Sequence, residues 1–306
     1  MKNEQPYRIK SISEYHKFRG FTKPEHPLIS VINLDDMQGL AADQPKSWVF
    51  DFYSIAMKRN FNADVKYKYG QQSYDFDEGV MFFISPGQVF SVATDKDYKL
   101  SGWMLLIHPD FLWNTSLAKT LKQYEFFSYS VHEALHLSEK EENMLGVIIK
   151  NISQEYHSNI DRFSENVIIA QIELLLTYAD RFYHRQFLTR KIANHQILDR
   201  LDDFLNTSFN SNDLSNTGLP TVQQIAVILN LSPNYLSNLL KVLTGQSTQQ
   251  HIHHKLIEKA KEKLSTTNLS VSEIAYQLGF EHPQSFSKLF KTKTNSSPLD
   301  FRQSFN

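Results

Sequence analysis

Along the first third of the chain, apolar residues come in short runs of aromatic and β-branched side chains broken by turn-forming residues, the pattern of strands. Six such runs, at 29–34, 48–57, 65–69, 80–85, 88–93 and 99–107, are separated by turn chemistry such as Asp77-Glu78-Gly79 and Ser85-Pro86-Gly87. Strands this short and closely spaced predict an antiparallel barrel or jelly roll over about 28–110. Ahead of them, Ser11 and Glu14 form the capping pair of a short helix over 11–19, before the turn-rich Lys23-Pro24-Glu25-His26-Pro27.

Beyond Pro109 the period lengthens to that of helices. Ser138 and Glu141 form a capping box, after which Leu145, Ile148, Ile149 and Ile152 recur at three-to-four spacing. A second helix from about Asp161 places Val167, Ile168, Ile172, Leu175, Leu176 and Ala179 on one side. The two either cover the barrel or pair with the same helices of a second subunit, since both uses need one apolar stripe. The stretch 206–220, rich in Asn, Ser, Thr and Gly, reads as a loop.

The last third repeats itself at an offset of 49 residues. Thr221-Val-Gln-Gln-Ile-Ala-Val-Ile-Leu-Asn-Leu lies over Ser270-Val-Ser-Glu-Ile-Ala-Tyr-Gln-Leu-Gly-Phe. Each copy opens with a hydroxyl N-cap partnered three residues on by Gln224 or Glu273, so each starts a helix. Each then carries a small residue, Ala226 or Ala275, and stops at Asn230 or Gly279, the residue types that most readily turn the chain through a left-handed conformation. A second helix follows, with Leu236, Leu239 and Leu240 in the first copy and Phe286, Leu289 and Phe290 in the other. Two helices joined by so tight a turn cross steeply, and the alanine lets them approach. These are two helix-turn-helix units, over 221–243 and 270–293, joined by a helix from Thr248 to Leu264.

Composition sharpens this reading. The 306 residues suffice for two domains, and 41% hydrophobic with 21% charged residues is the balance of a folded rather than a disordered chain. No cysteine is present, which excludes disulfides, thiolate-bound zinc, iron–sulfur clusters and a cysteine nucleophile, and fits a cytoplasmic location. The polar first ten residues lack the apolar core of a secretion signal, and no run is long enough to predict a membrane span. The net charge of −1 conceals an asymmetry: residues 221–306 hold nine basic and five acidic residues, net +4, leaving −5 for the remainder. The repeated part is therefore the end suited to a polyanion.

The ordered set Leu231-Ser-Pro-Asn-Tyr-Leu-Ser, Thr244-Gly245, Ile257-Glu-Lys-Ala-Lys-Glu-Lys-Leu264, Ser272-Glu-Ile-Ala-Tyr-Gln-Leu-Gly-Phe280, Ser285-Phe-Ser-Lys-Leu-Phe-Lys291 and Ser297-Pro-Leu-Asp-Phe-Arg302 resembles the AraC family of bacterial transcription regulators. The resemblance implies an α+β two-domain protein: a cupin-like antiparallel β-barrel with flanking helices over 1–190, for sensing or dimerisation, and an all-α DNA-binding domain over 191–306. Helices would occupy about 138–187 of the first. Two departures stand out. Many members carry an arginine just before the Ile-Glu-Lys-Ala run, where this chain has Leu256, with Lys255 one place earlier. The second unit also holds one residue more than the first between its alanine and the next helix core. Pro283 fits the first turn of that helix, where its missing N–H costs nothing.

Sequence-specific binding of double-stranded DNA, in two adjacent major-groove segments, is the expected function, without catalysis or cofactor. In the first recognition helix Asn234, Ser237 and Asn238 face away from the leucines, with Lys241 one turn on; in the second the equivalents are Gln284, Ser287 and Lys288, with Lys291 toward the backbone. Asparagine can pair bidentately with adenine N6 and N7, and lysine with guanine O6 or N7 or with phosphate. The family motif places the same positions at the DNA. A small-molecule effector, RNA polymerase and a second copy of the chain are the other candidate partners. For the effector, alternation puts Trp48, Phe50 and Phe52 on one strand face, with Tyr67, Tyr69, Phe82 and Trp103 about the same interior; an aromatic interior either holds a ligand such as a sugar or an aromatic acid or is packed solid.

One motif points elsewhere. His132-Glu133-Ala134-Leu135-His136 has the spacing of a zinc metallopeptidase, in which two histidines a helical turn apart hold the metal and the glutamate activates water, with Glu155 or His157 available as a third ligand. The new cap at Ser138 leaves little room for the helix this needs, and the default reading is solvent-facing histidines. The barrel region holds no cluster of His and Glu that would bind a metal.

Overall fold

The computed structural model describes residues 6–37, 47–59, 79–91, 101–130, 133–158, 163–210 and 214–304. The expected strand at 65–69, with Tyr67 and Tyr69, lies outside them, as does His132. The chain divides into two compact units, 1–186 and 187–306.

The first unit is built from β1 (Tyr7–Ile9), α1 (Ile12–Arg19), β2 (Ile29–Asn33), β3 (Ser47–Phe50), β4 (Tyr53–Arg59), β5 (Val80–Ile84), β6 (Val89–Ser91), β7 (Ser101–Ile107), α2 (Ser116–Thr120), β8 (Leu135–His136), α3 (Glu139–Tyr156) and α4 (Ser164–Thr189). Ser11 caps α1 by accepting from the Glu14 N–H, and Gly20 ends it at φ 74°. The Ser138–Glu141 capping box opens α3.

Among the described residues the strands form two sheets, in the orders β1-β3-β6 and β2-β7-β4-β5-β8, and neither closes on itself into the expected barrel. The apolar run 48–57, expected as one strand, breaks at Asp51 and Phe52: β3 pairs with β1 and β6, whereas β4 pairs with β5 and β7. The chain changes sheets there, and the corner is fastened by the Asp51 N–H donating to Ile9 O (3.0 Å) and by Arg8 donating to the Asp51 carboxylate (2.8 Å). Unbroken apolar periodicity carried no sign of this turn.

One buried cluster joins α1, β3 and one face of the larger sheet, through Ile12, Tyr15, Trp48, Phe50, Phe52, Ala56 and Met104. The rings of Phe50 and Phe52 stack with centroids 4.8 Å apart. The other face lies under a second layer, where Phe83 meets Phe126 (4.5 Å) and Tyr183 of α4 (6.1 Å). The apolar stripes of α3 and α4, including Leu145, Ile152, Ile172 and Leu175, are buried within one chain.

The second unit comprises α5 (Lys191–Asn210), α6 (Leu214–Thr217), α7 (Val222–Leu229), α8 (Pro233–Thr244), α9 (Thr248–Thr266), α10 (Val271–Gln277), α11 (Pro283–Thr294) and α12 (Pro298–Gln303). The expected loop at 206–220 is instead largely helical: α5 continues to Asn210 and α6 follows. Leu201, Leu205 and Phe209, one helical turn apart, are buried in the core, so the Asn, Ser and Thr between them form a solvated helix face.

Lys58 is an unusual member of the first unit. Burial, then the positive charge of Arg19, holds its ammonium down at about 8, against an ordinary value of 10.5. Between those values the unfolded chain binds a proton that the folded chain does not, so this residue's cost to stability is full at pH 7 and fades as pH rises. Tyr15, pushed up to about 12 by burial, acts in the opposite sense only above its ordinary value of 10. Thermal unfolding of Lys58→Met should therefore show a more stable protein than wild type at pH 7, with the difference shrinking from pH 8 to 10; a pH-independent difference would refute the assignment.

Candidate nucleic-acid interface

The two helix-turn-helix units form by the same local devices. Thr221 and Ser270 are N-caps with complete capping boxes to Gln224 and Glu273. Ala226 and Ala275 are buried, 1% and 0% exposed, where the second helix of each unit crosses the first. The turns differ in residue but not in principle: Asn230 takes φ 58° and Gly279 φ 84°. In both, an N–H beyond the turn returns to the alanine carbonyl, Leu231 to Ala226 and Phe280 to Ala275, at 2.9 and 3.0 Å.

The recognition helices then begin with proline in the first turn, Pro233 and Pro283. Leu236, Leu239, Leu240, Phe286 and Phe290 are each 0% exposed, and Leu289 is half-buried. That burial orients the opposite faces. Asn234, Lys241, Gln284, Lys288 and Lys291 are exposed, and Ser237, Asn238 and Ser287 are half-buried. Ser237 also lies 3.1 Å from the buried Thr248 hydroxyl, tying α8 to the start of α9. Five of the eight candidates are thus exposed and three half-buried, and none belongs to the fully buried apolar faces of α8 and α11.

Helix α9 holds the units apart. Its 19 residues span roughly 28 Å at 1.5 Å per residue, and its Ile252, Leu256, Ala260 and Leu264 enter the core. Leu256, in the place of the family's arginine, is completely buried, and Lys255 pairs with Glu258 at 3.4 Å. No phosphate contact can come from residue 256. Burial lowers His251 and His253 from the ordinary histidine value, with Asp202 opposing for the first and Lys293 adding for the second.

Three basic side chains to which the sequence reading gave no bracing role tie these helices together. Arg200 of α5 donates to Ile228 O (2.7 Å), near the C-terminus of α7. Lys263 of α9 donates to the Gln277 side chain of α10 (2.8 Å), and Arg302 of α12 to Leu264 O near the end of α9 (3.2 Å). Basic groups on the last carbonyls of a helix satisfy acceptors the helix cannot; the only signal in the sequence was their charge.

The metallopeptidase spacing lacks the helix it requires. Leu135 and His136 form β8, paired with Met81 and Val80, and Glu133 is 1% exposed with its carboxylate accepting from the Ser130 N–H at 2.7 Å. His136 thus lies on a strand rather than on the helix the motif needs, and His132 lies outside the described residues. Among the described residues no three His, Cys, Asp or Glu gather as a metal site, and no helix is long and apolar enough to cross a membrane.

Of the interior aromatics, Trp48, Phe50 and Phe52 share the buried cluster. Phe82 pairs with Ala56 in register, on the sheet face toward that cluster, whereas Trp103 pairs with Met57 and so points to the opposite face. The structure separates Trp103 from the interior it was expected to line.

Residues 225–304 match a family model described as a helix-turn-helix domain. The raffinose operon transcriptional regulatory protein RafR of Pediococcus pentosaceus is 38% identical over 84 residues, 28% of this chain and 30% of RafR. The uncharacterized HTH-type transcriptional regulator YfiF of Bacillus subtilis (strain 168) is 23% identical over 245 residues, 77% of this chain and 72% of YfiF. Among solved structures, the C-terminal domain of the two-component response regulator yesN from Fusobacterium nucleatum is 32% identical, covering 33% of this chain and 93% of that one, with a TM-score of 0.30. The matched part of the chain spans 30% of the length of RafR and 30% of the uncharacterized regulator YijO of Escherichia coli.

Gly279 is the tightest point of the second unit, because a Cβ there would meet Leu214 O at 2.9 Å and the Gly218–Leu219 backbone at 3.0 Å. Gly279→Ala should cost ~2 kcal/mol or more from positive φ and backbone overlap. Chemical denaturation should show the loss, and Asn230→Gly, at the equivalent turn, should cost well under 1 kcal/mol.

Proposed function

We propose that the chain is an AraC-type transcription regulator that binds two adjacent major-groove segments of one DNA duplex, a reading supported by the helix-turn-helix match over 225–304. The observation that supports this most directly is the pair of recognition helices, α8 and α11, each with a buried apolar face and an outward face of amides, hydroxyls and lysines. Helix α9, roughly 28 Å long, approaches the ~34 Å of one duplex turn, so both helices would address the same side of the DNA, with some bending.

In this reading Asn234 and Asn238 read adenines, Gln284, Ser287 and Lys288 meet bases of the second segment, and Lys241 and Lys291 hold phosphates. Ser237 contributes a hydroxyl already positioned by Thr248. The first unit would be the regulatory part, a cupin-like domain whose aromatic interior admits an effector that favours one arrangement of the chain over another. It would also support a homodimer: Met144 and Val147 of α3 and Val167 and Leu174 of α4 are all 40–59% exposed, apolar side chains their own chain leaves uncovered.

Selection of bound sequences from random oligonucleotides tests the reading as a whole, with a two-part motif expected; enrichment of no motif would overturn it. On the selected site, Asn238→Ala should relax preference at one base pair by about 1–3 kcal/mol. Lys291→Ala should weaken every sequence alike and flatten the salt dependence of binding by about one unit of slope. A loss confined to one sequence would make Lys291 a base reader instead.

A further inference from the structure

The two recognition helices are not held alike. Aligned on their apolar stripes, Leu236 of α8 matches Phe286 of α11, so the position before it is Tyr235 in the first unit and Ser285 in the second. Ser285 is exposed, whereas Tyr235 is only 6% exposed. The ring packed against Tyr235 is that of Phe187, itself 2% exposed, which meets it edge to face with centroids 5.1 Å apart. Phe187 belongs to neither repeat. It lies near the end of α4, ahead of the 225–304 match and of the boundary expected at 190, yet the second compact unit begins with it. The buried Asn194 of α5 donates to Phe187 O and so fastens the join between α4 and α5 from which the ring projects. The caps differ in the same sense: Ser232 accepts from the Tyr235 N–H (3.3 Å), whereas His282, in the same place before α11, makes no side-chain cap.

Pro233, Asn234 and Tyr235 are the first three residues of α8. The N-terminal residues of a recognition helix are the ones that meet base edges, and the first turn of a helix frays where nothing outside it holds it. A bidentate bond to a base tolerates little displacement of the side chain that makes it. The aim of the exposed Asn234 therefore depends on how firmly the next residue is held. We propose that Phe187 is a positioning residue for DNA reading by the first unit: by burying Tyr235 it fixes the opening turn of α8, and Asn234 with it. Helix α11, with Ser285 exposed at the equivalent place, reads without such a hold. One half of the DNA site is then read with help from outside the helix-turn-helix repeat, and the other half is not. The proposal rests on the DNA-binding reading above and adds to it a residue that sets how strictly the first segment is recognised.

The test measures binding of the full chain, at low salt, to three duplexes: the selected site, that site with its first segment scrambled, and that site with its second segment scrambled. The first segment is the one at which Asn238→Ala relaxes preference. Phe187→Ala should weaken binding to the selected site roughly three- to tenfold, about the worth of one aromatic pair. It should weaken the duplex with the scrambled second segment by the same factor and leave the duplex with the scrambled first segment unchanged. Tyr235→Ser, which gives α8 the residue of α11, should follow the same pattern, and the double variant should lose no more than either alone. Tyr235→Phe, which keeps the ring, should retain most of the binding. Circular dichroism checks that each variant is folded; should Phe187→Ala fail, Phe187→Leu keeps most of the buried volume and should show the same pattern with a smaller loss. An equal loss on all three duplexes would make Phe187 merely a support of the fold and overturn the proposal, as would a loss confined to the second segment. A two-part motif that Phe187→Ala binds as wild type does removes the positioning role and leaves the DNA reading standing, whereas enrichment of no motif removes both.

Discussion

Everything the C-terminal unit can do depends on a single shared core threaded by α9. Ile252, Leu256, Ile257, Ala260 and Leu264 of that helix join residues of α5, α7, α8, α10 and α11 in one buried cluster. Helices of 7 or 8 residues such as α10 and α7 are too short to persist alone in water. Each fully buried leucine or phenylalanine contributes about 1.5–3 kcal/mol, so the recognition helices hold their direction only because both units draw on the same interior. The outward faces follow from that: what the core takes from α8 and α11 fixes which side chains remain exposed.

The braces around this core are electrostatic and local. Arg200, Lys263 and Arg302 each reach from one helix to an acceptor on or near the end of another. Only Lys263 and Arg302 lie within 221–306, and since their acceptors are neutral the net +4 of that stretch is unchanged. The exposed Lys241, Lys288, Lys291 and Lys293 remain on or beside the recognition helices, where charge is of most use.

The N-terminal unit has its own interior. Its aromatic cluster is an apolar core in which the indole N–H of Trp48 is buried without an acceptor. The letters of the His132-Glu133-His136 spacing match a metal-binding helix, yet Glu133 caps a turn and His136 lies in a strand, so the backbone removes the chemistry that the spacing suggested.

Local features were legible in the sequence because their physics is local. The capping boxes at Ser138, Thr221 and Ser270, the left-handed turns at Asn230 and Gly279, and the leucine and phenylalanine stripes of α8 and α11 each depend on residues a few places apart. So did the basic C-terminal end and the repeated helix-turn-helix pattern. The corner at Asp51, the opposite faces given to Phe82 and Trp103, the helical course of 206–210 and the burial of Leu256 were decided by tertiary structure alone. Each of these depends on which distant segment supplies the neighbouring strand or the covering helix, and a pairing between segments far apart in the chain leaves no periodic trace in either of them.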